Sequence, residues 1–102
     1  MSGGSVTLLL SKPIQAHGKE ITEIVLRPPT VEDIMELGTP MLMFPGADGN
    51  SVGLEIRAKV IGQYVMRLGK VPLSTVKAMA LADFQKAQGE IMSFFGDGAT
   101  EA

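Results

Sequence analysis

Few side chains in this sequence could carry out catalysis. The 102 residues include a single histidine, His17, and no cysteine, which excludes a thiolate nucleophile, a disulfide framework, a cysteine zinc site and a histidine cluster. Glu32 and Asp33 are adjacent carboxylates, and a pair of carboxylates can perform general acid–base catalysis. The run from Thr30 to Asp33 is also typical of a helix start, with a threonine cap and acids in the first turn. We favour the structural interpretation and keep a catalytic carboxylate pair as the alternative.

The other polar motifs indicate no catalytic, metal or cofactor site. His17 stands beside Gly18 in a predicted turn, and an exposed turn residue is a simpler interpretation than a general base. Residues 48–51, Asp-Gly-Asn-Ser, resemble part of a calcium loop but lack the alternating acids and the closing glutamate. No glycine-rich phosphate-binding motif with its lysine is present. The sequence therefore predicts no catalytic residues, no metal ligands and no cofactor.

The composition predicts one small domain with no affinity for polyanions. Nine Lys and Arg are set against eleven Asp and Glu, for a net charge of −2, so the basic excess that phosphate binding needs is missing. We therefore expect no nucleic acid partner. The N-terminus has no basic region, and the apolar run of residues 8–10 ends at Ser11-Lys12-Pro13, so we expect neither a signal peptide nor a membrane span. These features predict a cytoplasmic protein.

The expected fold class is α+β, an N-terminal β-hairpin followed by three to four short helices packed on it. Two β-prone runs, residues 6–10 and 21–26, flank a turn at His17-Gly18. A two-residue turn there predicts three cross-strand pairs: Ile14 with Ile21, Lys12 with Glu23, and Leu10 with Val25. Because Pro13 cannot donate a ladder hydrogen bond, we also expect a bulge or bend in this hairpin.

Helical spacing and breaker residues define the rest of the chain. Gly38 should end the first helix, Gly69 should cap the second, and Ser74 should cap the third. The predicted helices span residues 31–37, 52–68, 75–79 and 82–95. We expect a flexible N-terminus at residues 1–5, a single domain at 6–95 and a disordered polar tail at 96–102.

A second group of residues is more suited to binding than to chemistry. The chain has seven methionines and four phenylalanines, and methionine adapts its shape to irregular partners. Met41, Leu42, Met43 and Phe44 form an apolar run before a Pro- and Gly-rich segment, which predicts either a loop tucked into the core or an exposed docking surface. Met92 and Phe95 form a second apolar patch in the last helix.

The order of these motifs resembles the tail assembly chaperone family of Mu-like and P2-like contractile-tailed phages. The resemblance covers about residues 6–95, and the junction Leu26-Arg27-Pro28-Pro29-Thr30 with Asp33 is its most specific part. In the first half it also includes the leucine-bearing strand, Lys12-Pro13-Ile14, the Gly18 turn and Ile21-Thr22-Glu23-Ile24. In the second half it includes Leu68-Gly69, Pro72 with Ser74, Val76, Leu81 with Asp83, and Phe94-Phe95.

The resemblance implies a non-enzymatic chaperone, encoded by a phage or prophage, that acts in the host bacterial cytoplasm. Its partners would be the phage tape measure protein, which it would keep soluble, and the tail tube protein; self-association is a further expectation. The expected client-binding residues are the two apolar patches: Met41, Leu42, Met43, Phe44, Met92 and Phe95. Such families often make a longer isoform by ribosomal frameshifting, for which the Phe94-Phe95 codons are a candidate site.

One alternative belongs to another class of protein. A small structural tail protein or head-tail completion protein of the virion could also use an exposed hairpin edge, because an edge strand can pair with a strand of a neighbour.

Overall fold

The computed structural model describes the backbone of residues 4–100 and the side chains of residues 4–95. Within that range the chain forms two antiparallel β-hairpins and four helices, so the predicted α+β class with its N-terminal hairpin is confirmed. The strands are β1 (Val6–Ala16), β2 (Lys19–Leu26), β3 (Met41–Pro45) and β4 (Val52–Ile56). The helices are α1 (Val31–Leu37), α2 (Ala58–Gly69), α3 (Leu73–Ala78) and α4 (Leu81–Thr100).

The turn of the first hairpin is the predicted one. His17 and Gly18 both have positive φ angles, 53° and 77°, as a two-residue turn between twisted strands requires. Ile14 pairs with Ile21 as expected. The other two predicted pairs are wrong: Glu23 lies opposite Leu9 rather than Lys12, and Val25 lies opposite Thr7 rather than Leu10.

A bulge in β1 causes this shift of register. The pairing changes between Leu9 and Ile14, which confirms the expected irregularity, and the extra residues of β1 loop out of the ladder. The backbone N–H of Ser11 instead donates to both carboxylate oxygens of Asp83, at 3.0 and 2.9 Å, and its hydroxyl donates at 3.0 Å. Asp83, in the first turn of α4, therefore accepts the hydrogen bond from Ser11 that β2 does not accept.

The predicted helix over residues 52–68 is wrong in its first third. Val52–Ile56 is strand β4, which pairs with β3, and α2 begins only at Ala58. The backbone N–H of Arg57 donates to the carbonyl oxygen of Pro40 at 2.9 Å and closes the base of this second hairpin. Leu54 fits the helical spacing towards Ile61 by coincidence, because a segment with so few apolar residues can match both the helical and the strand period.

The core lies between the first hairpin and the helices. One face of α2 is buried, and this helix packs against both β2 and α4. Helix α4 also packs against β1. The Tyr64 hydroxyl donates to the carbonyl oxygen of Gly38 at 2.6 Å, which joins α2 to the end of α1. The principal core residues are Leu8, Ile14, Ile24, Leu26, Ile61, Tyr64, Val65, Leu68, Ala87 and Ile91.

Several helix boundaries differ from the prediction. Helix α1 spans the predicted residues and ends at Gly38, which has a φ of 83°. Helix α2 continues through Gly69, and its cap is Lys70 in the left-handed conformation. Helix α3 begins earlier than predicted, after Pro72, and no side chain caps it, so the cap predicted for Ser74 is wrong.

Helix α4 continues past Phe95 to Thr100, and so extends beyond residue 95, the predicted end of the last helix. Residues 1–3 of the expected flexible N-terminus and residues 101–102 of the expected tail lie outside the described residues. The division into a flexible start, a single domain and a disordered tail therefore stays a prediction.

Two glycines of α2 allow a matched test of the packing. A Cβ atom at Gly69 would lie 2.6 Å from the Cγ2 of buried Ile24, whereas one at Gly62 would lie 3.8 Å from the Cγ1 of Val76. We expect Gly69→Ala to lower the free energy of unfolding by about 1–3 kcal/mol through overpacking. We expect Gly62→Ala to raise it by up to about 1 kcal/mol, because alanine favours helix and fits the space. Urea unfolding measures both, and shifts of the same sign would contradict the packing described.

Candidate functional site

The second hairpin carries an exposed apolar face. Cross-strand partners in an antiparallel pair lie on the same face, and three pairs of β3 and β4 consist only of apolar residues. These pairs are Met41 with Ile56, Met43 with Leu54, and Pro45 with Val52. We call these six residues the apolar hairpin face. In the middle pair Met43 is 71% exposed and Leu54 52%, and at the outer end Val52 is 64% exposed, while Ile56 packs against the core at the base.

The opposite face of this hairpin is mixed. It carries Leu42 and Phe44 from β3 and Gly53 and Glu55 from β4. The ring of Phe44 lies over Gly53 so closely that any side chain at position 53 would collide with it. The predicted apolar run, Met41 to Phe44, is therefore divided between two faces, because successive side chains of a strand point in opposite directions.

The backbone of β4 leaves one edge of the hairpin open. The hydrogen bonds from Arg57 N–H to the Pro40 carbonyl and from Gly46 N–H to the Ser51 carbonyl mark the two ends of the ladder. In an antiparallel pair, alternate residues bond across the ladder and the residues between them point outward. The outward N–H and C=O groups of β4 thus belong to Val52, Leu54 and Ile56.

The corresponding edge of β3 is less suited to pairing. Its outward backbone groups belong to Met41, Met43 and Pro45, and proline has no N–H to donate. A partner strand would therefore find a complete set of hydrogen-bonding groups on β4 and an incomplete set on β3.

The tip of the hairpin is closed by Asp48. Its Oδ1 accepts hydrogen bonds from the N–H groups of Asn50 and Ser51, both at 3.0 Å, and from the Ser51 hydroxyl at 2.9 Å. These bonds, the Asn50 N–H first among them, lower the pKa of Asp48. The segment that resembles a calcium loop thus uses its carboxylate to hold an ordinary turn.

The second predicted patch is packed more closely than the first. Met92 and Phe95 are half-buried and lie against the core. The rings of Phe95 and Tyr64 meet edge to face, with centroids 5.5 Å apart. Leu42, Met43 and Phe44 are exposed by comparison. The role of all six residues in client binding stays a prediction.

Asp33 is the buried member of an ionic cluster at the start of α1. Its carboxylate is 2% exposed and accepts two hydrogen bonds from the Arg27 guanidinium, at 2.8 and 3.1 Å. It also accepts the Thr30 N–H at 2.8 Å, while the Thr30 hydroxyl accepts the Asp33 N–H, so the capping box is confirmed. The Nη1 atom of Arg67, in α2, lies 3.4 Å from Oδ1 of Asp33.

These contacts fix the charge of Asp33. The Arg27 hydrogen bonds lower the pKa of this carboxyl most, and those from Thr30 and Arg67 lower it further, against the opposing effect of burial. A general acid or base has to exchange its proton near neutral pH, whereas this carboxylate is held ionised in a structural role. Arg67 is a partner that the sequence pattern did not indicate; Arg27, six residues before Asp33, could have been inferred from the Arg-Pro-Pro-Thr junction.

His17 also has a structural role. It is exposed, as predicted, and its Nε2 lies 2.9 Å from the carbonyl oxygen of Lys70, to which it donates. The contact joins the turn of the first hairpin to the end of α2. Among the residues that the structure describes, no group of His, Asp and Glu side chains is arranged to hold a metal ion.

The chain is similar to a family of known proteins. In the described part of the chain, no helix combines the length and the apolarity needed to cross a bilayer. A family model described as phage tail assembly chaperone proteins, E, or 41 or 14, matches residues 7–96. No curated protein and no solved structure gives a match.

Proposed function

Because the chain belongs to the phage tail assembly chaperone family, we propose that it binds the phage tape measure protein and assists assembly of the tail tube. The family match spans both hairpins and reaches into α4. The protein would act in the host bacterial cytoplasm, by contact rather than by catalysis. The tail tube protein is its second proposed partner.

The apolar hairpin face is the observation that supports this proposal. Small proteins seldom leave a contiguous apolar surface in water unless something binds to it. Three of its residues, Met43, Val52 and Leu54, are more than half exposed. A methionine at the centre of such a surface can adapt to clients of different shape.

The size of the face suits reversible binding. It consists of six residues of a two-stranded hairpin, one of which, Ile56, packs against the core. This is far fewer than the roughly 20–30 residues that each partner contributes to a typical stable interface. A chaperone needs such weak contacts, since it must cover apolar stretches of its client and release them when the tube polymerises around the client.

Coexpression tests this function directly. The gene would be expressed with its native downstream DNA and with the gene of the tape measure protein, and purified through an N-terminal tag. We expect mass spectrometry to identify the tape measure protein at a defined stoichiometry in the eluate. Recovery of this chain without any tail protein, while the same tag on a tail tube subunit does recover its partners, would contradict the proposal.

The same experiment tests the longer isoform. Phe94 and Phe95 lie within α4, so a ribosome that changes frame there would keep the first part of the helix and add a new sequence after it. We expect a larger product that shares the N-terminus. Codons at this pair that cannot form a slippery run would remove the basis for the frameshift.

A virion component is the second candidate, and the open edge of β4 favours it. Val52, Leu54 and Ile56 present outward backbone groups that a strand from a neighbouring tail subunit could pair with. Mass spectrometry of purified particles separates the two functions. A chaperone is absent from finished particles, whereas a structural protein is present in stoichiometric amount.

A further inference from the structure

A groove between three helices lies apart from the hairpin. It has a volume of about 460 Å³ and is bounded by α2, α3 and α4. Gly62, Val76 and Phe84 line its apolar part, together with Leu73, which is 47% exposed. Lys59 and Lys77 stand on its margin, and neither forms a salt bridge within the described residues. The groove thus combines apolar depth with a positive margin.

Gly62 is not required by the packing of the chain. It lies in the interior of α2, where glycine is less favourable than alanine. A Cβ atom at this position would lie 3.8 Å from Val76 and 4.0 Å from Phe84, which are ordinary contacts. An alanine would therefore fit and would strengthen the helix. The glycine therefore leaves the floor of the groove open.

Helix α1 presents a surface that complements this groove. Val31 is 72% exposed and Met35 80% exposed, and residues four apart lie on the same side of a helix. Glu32 and Glu36 flank this apolar pair; Glu36 also pairs with Arg67 of its own chain, and Glu32 forms no salt bridge within the described residues. The exposed side of α1 is thus an apolar stripe with an acidic margin, which matches the apolar groove with its lysines in both respects.

We propose that α1 of one copy of this chain docks into the α2–α3–α4 groove of a second copy. Met35 and Val31 enter the apolar part, and Glu32 approaches Lys59 or Lys77. The contact goes beyond the proposed function, because neither surface includes the apolar hairpin face.

The two surfaces cannot meet within one molecule. Arg67, which holds α1 through Asp33 and Glu36, lies five residues after Gly62, so at about 100° per residue it points about 140° away from Gly62 on the floor of the groove. Asp33 also fixes α1 to Arg27. Helix α1 therefore cannot swing into its own groove, and the contact has to form between copies.

The proposed contact joins two different surfaces, and this predicts which assemblies form. Two different surfaces meet, so after the first contact the pair keeps one free α1, on one copy, and one free groove, on the other. Such a heterologous interface forms chains or closed rings rather than stopping at a dimer. The few side chains involved predict association that depends strongly on concentration.

The first test is sedimentation equilibrium over about a hundredfold range of concentration. We expect the mean mass of the wild type to rise above the 10.8 kDa of one chain. Gly62→Leu, which fills the groove, and Met35→Lys, which opposes its lysines, should each weaken association about tenfold or more. Gly89→Leu, an exposed glycine of α4 with open space around it, and Met35→Leu are the controls and should associate like the wild type.

The second test mixes the two defective variants. Gly62→Leu keeps its α1 and Met35→Lys keeps its groove, so a mixture should form a dimer and stop there. Melting temperatures show that both are folded; Gly62→Ala should melt about 5 °C higher than the wild type while narrowing the groove. A wild type that stays monomeric throughout, variants that associate unchanged, or a mixture of folded variants that stays monomeric would each overturn the proposal. Binding of the tape measure protein is measured separately and can succeed or fail independently.

Discussion

Replacing Asp33 by asparagine is expected to lower the free energy of unfolding by about 3 kcal/mol. Removing one partner of a buried ion pair typically costs 3–5 kcal/mol, because the other charge is left without compensation. Arg27 and Arg67 are about one-third exposed, so water can partly replace the carboxylate, which favours the lower end of that range. The lost helix cap alone would account for only about 1 kcal/mol.

The effect of Asp33→Asn should depend on pH in a defined direction. The folded-state pKa of Asp33 is below the unfolded value of about 3.9, mainly because of the Arg27 hydrogen bonds. A carboxyl with a lowered pKa stabilises the fold fully above its unfolded pKa, and this stability is lost as the pH falls towards the folded pKa. We therefore expect the difference between wild type and variant to be largest near pH 7 and to shrink below about pH 4.

Urea unfolding at several pH values measures this difference, and Glu32→Gln is the matched control. Glu32 is an exposed carboxylate in the same helical turn, so its substitution should change stability by less than about 0.5 kcal/mol. Equal losses of stability for the two variants would contradict the ion-pair explanation. They would show that any negative charge in the first turn of α1 stabilises the fold to the same extent. A variant that keeps its stability but loses its function would instead favour the catalytic alternative.

The capping box could be predicted because all its atoms belong to four consecutive residues. Thr30 and Asp33 have the types and spacing that define it, and no tertiary contact is needed to recognise it. The burial of Asp33 could not be predicted in the same way. It depends on Arg67, which lies 34 positions further along the chain and carries no periodic signal that relates it to α1.

The register of the first hairpin illustrates the same limit. The turn at His17-Gly18 and the pairing of Ile14 with Ile21 follow from local residue types. Beyond the bulge, the register depends on an acceptor for the Ser11 N–H, and that acceptor, Asp83, lies 72 positions away. Turn and strand propensities concern residues that are close in sequence, so they could not predict this contact or the register that depends on it.

The second hairpin was missed although the sequence contains a signal for it. Residues 41–45 form an apolar run, and in residues 52–56 Val, Leu and Ile alternate with Gly and Glu; between them lies a turn segment with Asp48 and Gly49, which is a typical hairpin pattern. Leu54 fits helical spacing towards Ile61 equally well, and a short apolar run does not decide between the two periods. Pairing with β3 decides it, and this pairing also exposes Leu54, which a helix would have buried.

The exposed position of Leu54 leads to the second large effect. Replacing Met43 and Leu54 together by threonine should lower the affinity for the tape measure protein about 10- to 100-fold. The two residues form the central cross-strand pair of the apolar hairpin face. One double substitution therefore makes the centre of this face polar. Threonine is well tolerated in strands, and both side chains are more than half exposed. We therefore expect the melting temperature to change little.

The neighbouring pair on the opposite face provides the control for this substitution. Leu42 and Glu55 are cross-strand partners in the same two strands, so Leu42→Thr with Glu55→Thr changes the same strands without touching the apolar hairpin face. Copurification of the tape measure protein with each variant measures the difference. A large drop in melting temperature for the Met43 and Leu54 variant would show that this face is packed in solution. Equal loss of client for both pairs would place the client on an edge of the hairpin rather than on its apolar face, because both pairs border the same two edges. The edge of β4 would then be the candidate, since Pro45 leaves the set of hydrogen-bonding groups on β3 incomplete.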